Sequence, residues 1–266
     1  MTALRITPLF GFGSRRALRI IERNLLVYKH GWLVLFSGFF EPLFYLLSIG
    51  FGLGQLVGEV AGPGGQTIPY ALFVAPALLG ASAMNGAITE STFNFFFKLN
   101  YDKTFASILT TPMSPADVSL GELAWALIRG GLYAIGFLGV MVVFGLARSP
   151  LILLTLPGAL LIGFAFAAVG MAATSFMRTW QDFDLIQLVI LPMFLFSGTF
   201  FPLDALPEAL RTIVVLTPLW HGVDLLRGLT VGVVGPETLV HVAYLTVMGL
   251  LGLAVVSRRL DKLLLK

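Results

Sequence analysis

The chain has 266 residues, of which 57% are apolar and only 12% charged. Soluble domains carry roughly 25% charged residues, so this chain cannot cover a water-facing surface, and it reads as an integral membrane protein. It has no cysteine, which excludes disulfides and thiolate metal sites; its net charge of +3 is informative only through its distribution.

Near the N-terminus, SRRALRIIERNLLVYKHG puts Leu18, Ile21, Leu25 and Tyr28 on one helical face and Arg15, Arg19, Glu22 and Arg23 elsewhere. This predicts an amphipathic helix over about 14–29 lying in the membrane interface; the alternative is a basic start to the first span. A signal peptide is excluded, because the first apolar run begins late, is too long and contains Glu41. Six runs then reach span length, at about 31–55, 69–95, 119–146, 151–176, 184–202 and 236–257. In hydrocarbon each must satisfy its own backbone hydrogen bonds, so each is helical and the fold class is all-α integral membrane. Basic residues set the orientation. Arg5, Arg15, Arg16, Arg19, Arg23, Lys29, Lys98, Lys103, Arg178, Arg258, Arg259, Lys262 and Lys266 share one side, against Arg148, Arg211 and Arg227 on the other. The positive-inside rule therefore predicts both termini in the cytoplasm.

Two connections are more than linkers. In KLNYDKTFASILTTP, Asp102 can cap a helix, Tyr101, Phe105, Ile108 and Leu109 share a face, Lys103, Ser107 and Thr110 lie opposite, and Pro112 is a stop. A short cytoplasmic helix over about 101–111 is predicted, docked on another protein or resting on lipid. Ser114, Pro115 and Asp117 then have cap spacing for the third span. Between Ser197 and Gly232, apolar pieces around 206–217 and 219–231 are each too short to cross, and Pro202, Pro207 and Pro218 break the pattern. A re-entrant helical hairpin over about 204–231 is predicted; an ordinary outer loop is the alternative.

No G-x-x-x-x-G-K-[ST] or H-E-x-x-H occurs, and His30, His221 and His241 are far apart in sequence, so the chain offers no nucleotide loop, metal site or catalytic constellation. Charges within spans are costly and point to function. Glu41, beside Pro42, is the deepest; Glu90 lies at the inner end of the second span, and Glu122 and Arg129 share a face of the third. These form either a polar path with a gating pair, or structural ion pairs. Asp224 and Arg227, three apart, read as a local helix pair. Ala159, Gly163 and Ala167 allow close helix approach, within one subunit or between two.

This order of features resembles the permease subunits of type-2 ABC exporters. The similarity is most specific in ESTFNFFFKLNYDKTFASILTTPMSPADVSLGELAW, which resembles the lipo-oligosaccharide (nodulation-factor) export branch through Glu90-Ser91-Thr92-Phe93, Lys103-Thr104, Thr111-Pro112, Asp117 and Gly121-Glu122. EPLFYLLSIGFGLG and FSGTFFPLDALP…TPLWHGVDLLRG add to it, and the resemblance covers essentially the whole chain. It implies a half-transporter in the inner (plasma) membrane, pairing as a homodimer, with each copy docked on a separate ATPase subunit. That partner would bind ATP and Mg; this chain would hold no cofactor, contact membrane lipids and bind no nucleic acid. The resemblance implies ATPase coupling through Tyr101, Asp102, Lys103, Thr104, Phe105 and Ile108. It implies a path past Ser37, Glu41 and Asn85, and an outer gate at Phe200, Phe201, Trp220 and His221. The cargo would be amphiphilic, lipid-linked, glycan or drug-like. The rival is an ion-driven secondary transporter, for which Glu41 is the one good ion-site candidate.

Overall fold

The structure, a computed structural model, describes residues 15–29 and 40–264. Helix α1 (Arg15–Tyr28) buries Ile20 and Asn24 while Leu18, Leu25, Leu26 and Val27 stay exposed, as a helix seated in an interface would. Its contact with the third span is close: a Cβ at Gly121 would come within 2.7 Å of Ile20 Cβ. Helix α2 (Phe40–Val57) is π-helical over Leu46–Leu53 and only lightly buried.

A two-stranded hairpin follows that the sequence reading did not contain. Strands β1 (Glu59–Ala61) and β2 (Thr67–Pro69) are antiparallel, with Val60 opposite Ile68. The turn between them is GPGG, and Gly64 and Gly65 both take positive φ, which glycine adopts without a Cβ penalty.

Helix α3 (Tyr70–Asn100) is the centre of the molecule. Its apolar stretch is almost entirely buried, because α2, a third span, a fourth and a later helical hairpin all pack on it, while Thr89 and Phe93 near its C-terminal end are exposed. Alanine and glycine dominate its outer half, which lets four neighbours approach one rod. A π-helical turn, Glu90–Asn94, interrupts it near the inner end. Short helix α4 (Thr104–Ile108) leads to α5 (Pro115–Val143), whose start is the capping box the spacing predicts: Ser114 Oγ accepts from the Asp117 N–H at 3.2 Å, and the Ser114 N–H donates to Asp117 Oδ2 at 2.9 Å.

Helix α6 (Pro150–Thr174) carries the Ala159, Gly163, Ala167 stripe. All three are buried within this chain, with Gly163 facing Leu127 and Ala83, so close packing inside one subunit accounts for the stripe. Helix α7 (Phe183–Phe196) ends earlier than the run predicted to 202, where Gly198 adopts φ 73°. Its 14 residues span about 21 Å, less than a bilayer core of about 30 Å. Helices α8 (Glu208–Val215) and α9 (Pro218–Val231) meet at 83° across Thr217–Pro218, where proline lacks the N–H that would continue α8. Helix α10 (Pro236–Leu264) packs along α6, with Gly252 against the Ala168 backbone. Among the described residues five helices are long and apolar enough to cross a membrane, or six if the bent pair counts as one. The fold is that of an all-α integral membrane protein.

Candidate transport path and motor-coupling site

Toward the C-terminal end of α3, the π turn turns Glu90 into the bundle. Its Oε2 accepts from Arg129 Nη1 of α5 at 2.7 Å and from Asn94 Nδ2 at 2.8 Å. Lys98 Nζ lies 3.5 Å from Glu90 Oε1 and donates to Glu122 Oε2 at 2.6 Å. Asn24 of α1 donates to Glu122 Oε1 at 3.4 Å, and Tyr28 accepts from Asn94 at 3.1 Å and stacks on Trp125. Two carboxylates thus meet two cations, and the group is neutral overall. Buried ions persist only when paired and hydrogen-bonded in this way. Sequence placed Glu122 and Arg129 on one face; the structure gives each its own partner in α3 and ties α1 to both.

Eleven residues after Glu90 the predicted coupling segment begins. Tyr101, Asp102 and Lys103 are exposed, with the Tyr101 ring stacked on Phe97 at 5.1 Å. Asp102 is not the cap. That position is held by Lys103, in the left-handed region at φ 52° and with no side-chain cap bond. The physical reason is the tight exit from α3, where the N–H groups of Tyr101 and Asp102 both bond Phe97 O, so the chain reverses one residue too late for Asp102 to reach the helix. Phe105 is fully buried against Phe95, 4.9 Å between ring centres, while Thr104 and Ile108 are half-buried. Phe105 is therefore an anchor beneath the segment, and Tyr101 does not share its face. Arg16 of α1 donates to Pro112 O at 2.7 Å and closes the segment from the other side.

Of the predicted path residues, Ser37 lies outside the described residues. Glu41 and Asn85 come together with Ser82, Tyr45 and Phe194 around a cleft of about 20 Å³ between α2, α3 and α7, large enough for one water. Ser82 Oγ is buried there without a hydrogen-bond partner among the described residues, and Glu41 is on the exposed surface of α2.

The four predicted gate residues fall into two aromatic groups on either side of the Gly198 turn. Phe200 packs with Phe194 and Tyr45, its carbonyl accepting from Tyr70 at 2.8 Å, and Phe201 sits near Phe196. Trp220 and His221 pack instead with His241 and Tyr244 of α10. His221 Nδ1 meets His241 Nδ1 at 2.8 Å, and His241 Nε2 meets Asp224 at 3.1 Å. The expected Asp224–Arg227 pair does not form as an ion pair: Asp224 reaches outward to α10, whereas Arg227 points inward. Arg227 donates to Phe73 O at 3.2 Å and Gly198 O at 2.7 Å and lies over the Phe73 ring. It clamps the hairpin to α3, a role the sequence spacing of three residues concealed.

The ABC-2 type transporter family matches residues 16–231. The chain belongs to that family. Its relatives within it include Nodulation protein J of Rhizobium leguminosarum bv. trifolii, 33% identical over 266 residues that cover 98% of this chain and 99% of that protein. Nodulation protein J of Rhizobium leguminosarum bv. viciae is 32% identical over 254 residues, 93% of this chain and 96% of its own. The protein of that name from Rhizobium meliloti (strain 1021) is 32% identical over 253 residues, 91% and 93% of the two chains. As a member of the ABC-2 type transporter family, the chain is the transmembrane subunit of an ABC exporter, which favours the ATP-driven reading over the ion-driven one. The matched stretch holds the charge network, the α4 segment and the outer hairpin, and ends before α10.

Proposed function

We propose that two copies of this chain form the membrane half of the exporter, each bound to a separate ATPase subunit through the exposed Tyr101–Lys103 corner and helix α4. The whole chain is one transmembrane domain in the inner membrane, with both termini in the cytoplasm and the α8–α9 hairpin dipping in from the outer side. The cargo is an amphiphile, lipid-linked or glycan-bearing, passing between the two copies along Glu41, Ser37 and Asn85 toward the aromatic groups around Gly198. ATP and Mg belong to the partner.

The observation that carries this reading is the connection of the α4 segment to the buried network. Tyr101–Lys103 protrude on the side rich in basic residues, and α4 joins directly the two helices that Glu90, Arg129, Lys98 and Glu122 lock together. A push on α4 is therefore delivered to α1, α3 and α5 as one body. The pairing of copies is supported by Glu41. A carboxylate facing hydrocarbon costs about 2.5–3.5 kcal/mol, and a second chain over α2 lowers that cost where it supplies a polar partner or encloses water there.

Co-expression with a candidate ABC ATPase subunit tests the motor. The ATPase should co-purify, and the double reversal Asp102→Lys, Lys103→Glu should weaken permease-stimulated ATP hydrolysis several-fold without lowering the yield of folded permease. If no ATPase binds and cargo movement follows a proton gradient, the reading is overturned.

A further inference from the structure

Helix α7 stands away from the bundle. One side faces Glu41 and Asn85 through Phe194. The other side borders a cavity of about 1010 Å³, walled by α6, α7, α8 and α10 through residues such as Phe166, Val169, Ala173, Val189, Met193 and Ile213. These side chains are apolar, and the cavity runs along α7 from Asp182 just before its start to Phe196 at its end, some 20 Å by the rise of the helix. That is the size range of a site for a bulky small molecule, and its length exceeds half the hydrocarbon core. A helix filling it would need 8–10 Å of clearance between axes along its whole length.

The inner mouth is not apolar. Phe176 and Met177 line it, and the Arg259 guanidinium lies over the Phe176 ring at 4.7 Å while its Nε donates to Ser175 O at 3.4 Å. Arg178 follows, exposed, with Trp180 exposed beside it at the level where tryptophan favours headgroups. Of the nearby acids, Asp182 lines the cavity and interacts with Arg178, while Asp184 and Asp261 are exposed. Asp182 Oδ2 accepts the N–H groups of Arg178 at 2.8 Å and Thr179 at 3.1 Å, which hold its carboxyl below the usual carboxylate range. Those bonds engage Oδ2 and keep the carboxylate charged, so one negative charge stands against two guanidinium groups, both of which keep donors to spare.

We propose that this cavity is a binding site for an anionic phospholipid of the inner leaflet, with acyl chain in the space between α6 and α7 and phosphate between Arg178 and Arg259. Apolar walls beneath a basic mouth are the combination that recognises such a lipid, and the fork geometry of arginine suits a phosphate. A cargo molecule and a second copy of the chain are the other occupants to be tested. The site is separate from the proposed path and depends on the orientation proposed above only for the choice of leaflet.

The test uses the full chain, without ATPase, in phosphatidylcholine nanodiscs containing a trace of phosphatidylglycerol that carries a photoactivatable acyl chain. Label should concentrate on peptides holding Val169–Ala173 and Val189–Met193. The same probe with a choline headgroup should label these at least threefold less. Arg178→Gln and Arg259→Gln should each erase most of that preference, and Ala173→Trp should block labelling while a thermal unfolding scan shows the chain still folded. If Ala173→Trp does not fold, Val189→Phe makes the same test from the α7 side. Equal labelling by both headgroups, label spread evenly over α2 and α10, or a cavity labelled only after dimers are dissociated would each overturn the proposal. Failure of the ATPase to co-purify would leave these labelling results unaffected.

Discussion

Lys103 is the one described non-glycine residue at positive φ, and it stands at the corner between the central helix and α4. Holding an L-residue with a Cβ in the left-handed region costs about 1–2 kcal/mol. Glycine would relieve that strain but give back part of it through its freer unfolded chain. We expect Lys103→Gly to leave the unfolding temperature in detergent unchanged or raise it slightly, by at most about 1 kcal/mol of stability. The same variant should still lower permease-stimulated ATP hydrolysis, because the exposed ammonium is gone. A clear drop in unfolding temperature would show that the side chain stabilises the fold and that the strain argument is mistaken. The neighbouring Asp102 shows why sequence reading misplaced the cap: composition marks a residue able to cap, but the exit geometry of the preceding helix decides which residue arrives there.

At the scale of elements, the central device is the ion network joining α1, α3 and α5. Glu90→Gln should strand the Arg129 guanidinium, and removing one member of a buried pair costs about 3–5 kcal/mol. Adding Arg129→Met to Glu90→Gln should recover at least half of the loss, because the uncompensated charge then disappears. Thermal unfolding of the two variants in one detergent decides this; equal destabilisation in both would mean that the pair matters only as packing. Much of this layer was legible in the sequence. The Ser114–Asp117 cap and the approximate extent of most spans follow from local spacing, and the structure shows both; in α1 the residues that pack on α5 are Ile20 and Asn24, outside the face read from the sequence, whose Leu18 and Leu25 stay exposed. The partners of Glu122 and Arg129 were not legible, because periodicity gives a residue's face and not its neighbour 24 or 39 positions away. The π turn that aims Glu90 leaves no mark in hydropathy. The β1–β2 hairpin escaped because three-residue strands are too short to show alternation, although GPGG marked the turn. Of the site residues, Phe105 was recognisable as part of the α4 segment, but not as its buried anchor.

For the whole molecule, the decisive contrast is between α3, buried from all sides, and α2, whose Phe40, Phe44, Leu47 and Leu53 remain exposed beside Glu41. If α2 is where two copies meet, a thiol placed there should cross-link. The chain has no cysteine, so any introduced thiol is unique. Phe44→Cys should give a covalent dimer on mild oxidation in membranes, whereas Val247→Cys, on the exposed face of α10, should not; the reverse pattern would place the interface elsewhere. Glu41→Gln should then impair export while leaving Phe44→Cys cross-linking intact, and normal export would remove Glu41 from the path. The Glu90–Arg129 pair also bears on how the chain is made. Glu90 and Arg129 lie 39 residues apart, so their ion pair forms only after α5 has followed α3 out of the ribosome, and until then Lys98 is the cation within reach of the Glu90 carboxylate. If the two helices enter the bilayer together as a hairpin, Glu90 and Arg129 go in already neutralised. In that case the turn of the hairpin is α4, and the segment assigned to receive force from the motor is first the pivot of membrane insertion.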